Sequence, residues 1–113
     1  NSVLWEGRLY EFGYPWPKGM EAGIQIYQPG FIPAGAQMVF SVMSGDKLLL
    51  KDTLQLLSLP GKWEPVSHRF IIPDVNDTAA LLQLSLENPQ LKLLFADDLF
   101  IRFFYHWNEL HEP

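Results

Sequence analysis

The strongest constraint on this chain is a hydrophobic alternation of period two that turn residues interrupt at short intervals. Turn signals such as Pro60-Gly61 and Pro73-Asp74 divide the sequence, because Pro, Gly and Asp favour the backbone conformations of tight turns. Between them apolar residues occupy alternate positions, as from Met38 to Val42. Such alternation is typical of antiparallel sheets that bury one face. We therefore predict an all-β fold, an antiparallel β-sandwich of jelly-roll type with seven or eight strands.

Several apolar residues in the middle of these stretches are predicted to form the core. They are Phe40, Leu50, Phe70, Leu84, Leu99 and Ile101. The same alternation places Asp97 on the face of Leu99 and Ile101. A carboxylate buried there needs hydrogen bonds or a cation.

The composition is consistent with one folded domain. Hydrophobic residues make up 48% of the chain, which is too apolar for disorder and sufficient for one core. We expect residues 1–113 to form a single β-sandwich domain. The chain begins at Asn1 without a methionine, and we expect it to have been excised from a longer protein.

Charge and residue usage exclude several classes of partner. The formal net charge is −5, and without a Lys/Arg cluster the chain lacks the electrostatic footprint for nucleic acid. No apolar run approaches the roughly 20 residues of a membrane helix, so we expect no direct membrane insertion of this segment. The absence of cysteine excludes disulfides and thiolate chemistry.

Four short stretches carry a resemblance to a known family. The stretches are Gly61–Glu64, Phe70–Pro73, Leu82–Leu84 and Phe95–Ile101. They hold a Trp entering a strand, a strand ending in F-x-x-P, alternating aliphatic residues, and an Asp-Asp-aliphatic strand. Over about residues 36–103 the chain resembles the carbohydrate-binding-module-like jelly rolls of the galactose-binding-domain-like group. The resemblance implies a jelly-roll fold and carbohydrate as the ligand.

The same resemblance implies a structural calcium ion. Family members tie their first and last strands with calcium bound partly by an aspartate of the last motif, and here that aspartate is Asp97 or Asp98. Oxygen ligands of this type suit calcium. No matching N-terminal acidic pair is present, although Glu6 and Glu11 are available. The alternative is an aspartate whose side chain accepts hydrogen bonds from backbone N–H groups.

No constellation of residues in the sequence predicts catalysis. A glycine-rich phosphate loop, a G-x-S-x-G motif and an H-E-x-x-H motif are all missing, and each would mark a recognisable mechanism. We therefore expect the domain not to be an enzyme.

Aromatic residues supply the candidate ligand-binding site. Sugar binding commonly uses an exposed aromatic platform with a few polar groups. The candidates in loops or on less clearly buried faces are Tyr14, Trp16, Tyr27 and Trp107. The alternative is that such rings cap the edges of the sandwich, while Trp5 and Trp63 fill its core.

The loop from Gly13 to Gly19 has two interpretations, as a ligand platform and as part of the sandwich. Pro15 and Pro17 hold the loop extended, so little conformational freedom would be lost when it binds a ligand. The other interpretation is that Trp16 folds back and closes one end of the sandwich.

The predicted function is that of a non-catalytic accessory domain of a larger extracytoplasmic protein, periplasmic or secreted, with carbohydrate as the leading ligand. The alternative is a structural or protein-interaction β-sandwich, in an extracytoplasmic or membrane-anchored protein, with no sugar site. An exposed aromatic row on a sheet favours a sugar partner, and a flat apolar patch favours a protein partner.

Overall fold

The computed structural model describes residues 2–30, 35–90 and 93–110. Their seven strands are β1 (Ser2–Arg8), β2 (Gly19–Tyr27), β3 (Gln37–Ser44), β4 (Lys47–Gln55), β5 (Glu64–Ile71), β6 (Leu81–Glu87) and β7 (Phe95–Phe104). A 3-10 helix (Leu9–Phe12) follows β1, and a short α-helix, α1 (Trp107–Leu110), follows β7. Each helix has four residues, so the prediction of an all-β domain is confirmed.

The strands form two antiparallel sheets that pack as a sandwich. One sheet has the order β1-β6-β3-β4 and the other has the order β5-β2-β7. Every described strand pair is antiparallel. Consecutive strands pair only in the β3–β4 hairpin, and the other connections cross between the sheets. The predicted antiparallel β-sandwich is confirmed with seven strands, whereas its jelly-roll type remains a prediction.

The core lies between the two sheets. Phe40, Phe70 and Leu84 are fully buried, as the alternation predicted. Phe40 and Phe70 come from opposite sheets, and their ring centroids lie 5.3 Å apart. Burying each such side chain contributes about 1.5–3 kcal/mol, so these contacts hold the sheets together. No described helix is long and apolar enough to span a membrane.

Three predicted core residues, Leu50, Leu99 and Ile101, lie on the edge strands β4 and β7. Leu50 and Ile101 are partly buried and pack against the core. Leu99 is 37% exposed, so the prediction that it belongs to the core is wrong. The physical reason is that β7 is an edge strand, and its apolar side chains are covered less completely than those of β2.

A bulge in β7 explains why the predicted face of Asp97 is also wrong. Gly23 pairs with Phe100 while Gln25 pairs with Asp97, so β7 has one residue more than β2 between these pairs. Asp98 has φ 54° there, a left-handed conformation that Asp tolerates better than most residues. The extra residue changes the phase of the alternation. Asp97 is therefore exposed beside Gln25 and does not share the core-facing side of Ile101.

Contacts at the two sides of the sandwich join the sheet edges. On one side His68 of β5 lies 3.5 Å from Asp52 of β4. On the other side Phe103 of β7 contacts Trp5 of β1, with ring centroids 5.5 Å apart, and Phe12 at 4.6 Å. Within the part of the chain that the structure describes, no third layer covers the outward side of the three-stranded sheet.

Candidate functional site

The strand register places a defined set of side chains on the outward side of the three-stranded sheet. Along β2 the buried residues from Met20 to Ile26 alternate with residues that point away from the core. Residues on β5 and β7 that pair with the outward positions share that side. We call this surface the outer face; its members are Gly19, Glu21, Gly23, Gln25 and Tyr27 of β2, Trp63 immediately before β5, Pro65, Ser67, Arg69 and Ile71 of β5, and Phe95, Asp97, Phe100, Arg102 and Phe104 of β7.

An aromatic row crosses one end of the outer face. The Tyr27 ring lies between Trp63 and Phe95, with centroid separations of 5.5 and 6.1 Å. Trp63 is 49% exposed and Phe95 is 48% exposed. Because the core lies on the opposite side of the sheet, these rings do not fill it. We call Trp63, Tyr27 and Phe95 the aromatic row.

Phe100 extends this apolar surface toward the middle of the sheet. A Cβ atom placed on Gly23 would lie 2.1 Å from Cε1 of Phe100, far inside any allowed contact. The Phe100 ring therefore lies directly over the Gly23 backbone, in space that only glycine leaves open. The ring is also 48% exposed, so the sheet holds it in place while solvent reaches its other face.

A shallow polar depression adjoins the aromatic row. Gln25, Trp63, Asp97 and Asp98 line a cavity of about 210 Å³. Asp97 Oδ1 accepts a hydrogen bond of 2.8 Å from the backbone N–H of Asp98, and both carboxylates are exposed. Neither forms an ion pair with another described residue. The depression thus presents carboxylate acceptors and an amide that donates and accepts beside the Trp ring.

The opposite end of the outer face is closed by charged side chains. Glu21 accepts a 2.6 Å hydrogen bond from Arg102 and lies 3.6 Å from Arg69. Both guanidinium groups cover the Phe104 ring, at 4.8 and 5.3 Å from its centroid. Phe104 is consequently buried. The exposed aromatic surface of the outer face therefore extends from the end near Tyr27 to Phe100 in the middle of the sheet.

A second aromatic region lies at the end of the sandwich where β2 begins. The loop around Pro15 faces the segment after β5, and together they enclose a cavity of about 340 Å³. Tyr14 is 85% exposed, and its ring meets Trp16 edge-on at 5.5 Å. Trp16 is partly buried and packs against the core. We call this cavity the end cleft; it is lined by Leu9, Tyr14–Lys18 and Ile72–Asn76.

The structure separates the sequence-predicted ligand residues into two groups. Tyr14 and Trp16 line the end cleft, and Trp107 lies beside it, with its ring 5.9 Å from the Lys18 ammonium group. Tyr27 instead belongs to the outer face. The two groups lie near opposite ends of β2. An extended strand of this length spans about 26 Å.

Sequence reasoning missed most of the outer-face site. The alternative interpretation of the aromatic residues placed Trp63 in the core, but Trp63 is 49% exposed and lies beside Tyr27. Phe95 has the same alternation in the sequence as Asp97, Leu99 and Ile101, and the β7 bulge places it on the outer face. One usable signal was Gly23, because an isolated glycine within a strand often marks a close approach.

The predicted calcium site has only part of the ligand set that a metal ion needs. Asp97 and Asp98 are adjacent and exposed, but among the described residues no group of three or more His, Cys, Asp or Glu side chains converges to hold a metal ion. Asp97 uses one oxygen for the Asp98 N–H group, which is the backbone-satisfied arrangement expected as the alternative. Calcium at Asp97 or Asp98 remains a prediction.

Comparisons with known proteins add no family assignment. No protein-family model, curated protein or solved structure matches the chain. The resemblance to carbohydrate-binding-module-like jelly rolls therefore remains a prediction, and functional inference depends on the geometry of the two aromatic regions.

Proposed function

We propose that this chain is a non-catalytic accessory domain that binds carbohydrate on its outer face. The observation that carries the proposal is the exposed aromatic row beside the polar depression, on the side of the sheet that faces away from the core. Packing of the core provides no reason to place Trp63 and Phe95 there, because neither ring belongs to the core. A ligand with an apolar surface and hydroxyl groups does provide one.

The arrangement of these residues fits a sugar ring. The C–H groups on one face of a pyranose pack against an aromatic ring, while its hydroxyl groups need donors and acceptors at the rim. A sugar stacked on Trp63 would bring hydroxyl groups within reach of Gln25 and Asp97. The depression of about 210 Å³ is smaller than the roughly 300–1,000 Å³ typical of drug-sized ligand pockets. It therefore suits one sugar unit, with the rest of a glycan lying along the aromatic row.

One observation supports the non-catalytic part of the proposal. Glycosidases place two carboxyl groups on opposite sides of the bond that they cleave. Asp97 and Asp98 are instead consecutive in sequence, and both line the same open depression. A glycan ligand also fits a larger extracytoplasmic protein, which is the location that we propose.

The experiment compares two exposed tryptophans. A glycan array identifies bound glycans, and titration calorimetry then measures their affinity for the wild type, Trp63→Ala and Trp107→Ala. Trp107 is 46% exposed and Trp63 is 49% exposed, so the control is matched in residue type and accessibility. We expect Trp63→Ala to lose at least about tenfold in affinity, equivalent to about 1.4 kcal/mol, and Trp107→Ala to keep wild-type affinity.

The alternative functions give different results. If Trp107→Ala loses affinity and Trp63→Ala does not, the sugar binds near the end cleft and the outer-face proposal is wrong. If the folded wild-type protein binds no glycan on the array, carbohydrate binding is rejected, and the structural or protein-interaction alternative becomes the better explanation of the aromatic row.

A further inference from the structure

The polar depression beside Trp63 has a charge pattern that the aromatic row does not explain. Two adjacent carboxylates, Asp97 and Asp98, line a cavity with a Trp ring and a Gln amide. Neither carboxylate forms an ion pair within the described part of the chain. A neutral sugar would need acceptors there, but it would not need two negative charges.

Among the described residues, no basic side chain is ion-paired with the carboxylates of this negative region. Arg69 and Arg102 are directed to Glu21 and Phe104 at the other end of the outer face. Glu21 and Gln25 are four residues apart on β2, about 13 Å along a strand. Lys62 precedes Trp63 in sequence but forms no ion pair among the described residues. The carboxylate of Glu64, the residue after Trp63, accepts a hydrogen bond from the Leu59 N–H group.

Trp63 and the two carboxylates together favour a cationic group. An ammonium ion is attracted to the face of a Trp ring and forms charge-assisted hydrogen bonds with carboxylates. A uronic acid or a sulfated sugar would instead bring like charges together, which disfavours binding. Resting on the proposed carbohydrate function, we propose that the outer face selects glycans that carry a free, protonated amine, such as oligomers of glucosamine.

The experiment compares three oligosaccharides of equal length: glucosamine, N-acetylglucosamine and galacturonate oligomers. Titration calorimetry is performed with EDTA at low salt and about pH 5.5, where amines are protonated. We expect the glucosamine oligomer to bind the wild type at least about tenfold more tightly than the N-acetylated oligomer. The galacturonate oligomer should bind most weakly, and about 0.5 M salt should reduce these differences by screening the charges.

Charge-neutralising variants identify the responsible residues. Asp97→Asn and Asp98→Asn keep the side-chain size, and Asn also tolerates the left-handed backbone at position 98. We expect each variant to reduce the preference for the amine by at least about threefold while binding of the N-acetylated oligomer persists. Asp46→Asn, in the exposed β3–β4 turn, should leave the preference unchanged.

The outcomes separate this inference from the function on which it rests. Equal affinity for the glucosamine and N-acetylated oligomers, or preference for galacturonate, overturns amine selection but leaves carbohydrate binding intact. Restoration of binding only by calcium overturns it as well, because the carboxylates would then serve the metal ion. Tight binding of a lysine-rich peptide that exceeds every oligosaccharide would reject both proposals in favour of a peptide ligand.

Discussion

The outer face and the end cleft both concentrate aromatic side chains, but the rings are supported differently. In the end cleft, Trp16 comes from an extended loop and packs against the core. On the outer face, Trp63 and Phe95 stand beside Tyr27 on the solvent side of a regular sheet. The first arrangement contributes to folding, whereas the second leaves aromatic surface in water. Exposed rings that do not fill the core are the stronger indication of a ligand.

The largest expected difference between the two regions is in stability. Trp16→Ala should lower the free energy of unfolding by about 3 kcal/mol, at the low end for truncation of a buried aromatic side chain because Trp16 is only partly buried. Trp63→Ala should lower it by less than about 1 kcal/mol, as is usual for surface substitutions. Urea unfolding followed by circular dichroism measures both values.

Tyr14→Ala is the control within the end cleft. Tyr14 is 85% exposed and contacts Trp16 through its ring, so its removal should cost less than about 1 kcal/mol. If Trp16→Ala is as mild as Tyr14→Ala, Trp16 does not close the end of the sandwich. The end cleft would then regain its place as a candidate binding platform.

The next prediction concerns the close contact between Gly23 and Phe100. Gly23→Ala adds a Cβ atom that would lie 2.1 Å from Phe100 Cε1, so the ring must leave its position over β2. We expect a loss of about 1–2 kcal/mol from overpacking, together with weaker glycan binding because the apolar surface is displaced. Chemical denaturation and calorimetry measure these two effects.

A double-mutant cycle isolates this contact. In a Phe100→Ala background the added methyl group has space, so Gly23→Ala should cost less than about 0.5 kcal/mol. The difference between the two backgrounds is the coupling energy of the pair. An equal cost in both backgrounds would mean that the backbone, rather than the Phe100 ring, resists the substitution.

The fold was more predictable from sequence than the site was. Alternation identified strands and fully buried residues such as Phe40 and Phe70, because a period of two directly reports one buried face. The alternation failed around Asp98, because the one extra residue of the bulge reverses the side of the sheet that the residues beyond it face. No local sequence pattern indicates this bulge.

The site was less predictable because it depends on pairing between distant strands. Tyr27 was identified as a candidate, but its neighbour Trp63 lies immediately before β5 and its neighbour Phe95 begins β7. Only the register of those strands against β2 brings the three rings together. A single sequence does not contain that register, whereas the short loop with Tyr14 and Trp16 could be recognised locally.

A smaller effect tests whether the outer face has two independent halves. Glu21→Gln should lower stability by about 1 kcal/mol, because Glu21 is partly buried between Arg69 and Arg102 and forms charge-assisted contacts with both. This loss should shrink at high salt. Glycan affinity should stay within about twofold of the wild type, since the aromatic row lies at the other end. A loss of affinity as large as that of Trp63→Ala would show that the ligand occupies the whole face.

The smallest expected effect lies beside the end cleft, at Asp77. Hydrogen bonds from the Ser44 hydroxyl and then from the Ala79 N–H group hold the pKa of Asp77 below its ordinary value of 3.8. A carboxyl group whose pKa is lowered on folding stabilises the protein above its unfolded-state pKa, and this stability is lost as the pH falls through the folded-state pKa. The wild type should therefore have a slightly higher melting temperature than Asp77→Asn at neutral pH, and this advantage should disappear in acid.

Thermal unfolding from neutral pH to below the ordinary Asp pKa tests this linkage. Ser44→Ala removes the largest cause of the shift, so it should also reduce the loss of stability in acid, whereas Asp46→Asn in the exposed turn serves as the control. The Ser44 contact joins the end of β3 to the segment that continues from the end cleft. If Asp77→Asn and the wild type lose stability in acid to the same extent, this contact does not anchor the segment. That result would be evidence against the interpretation of the end cleft as a structural closure of the sandwich.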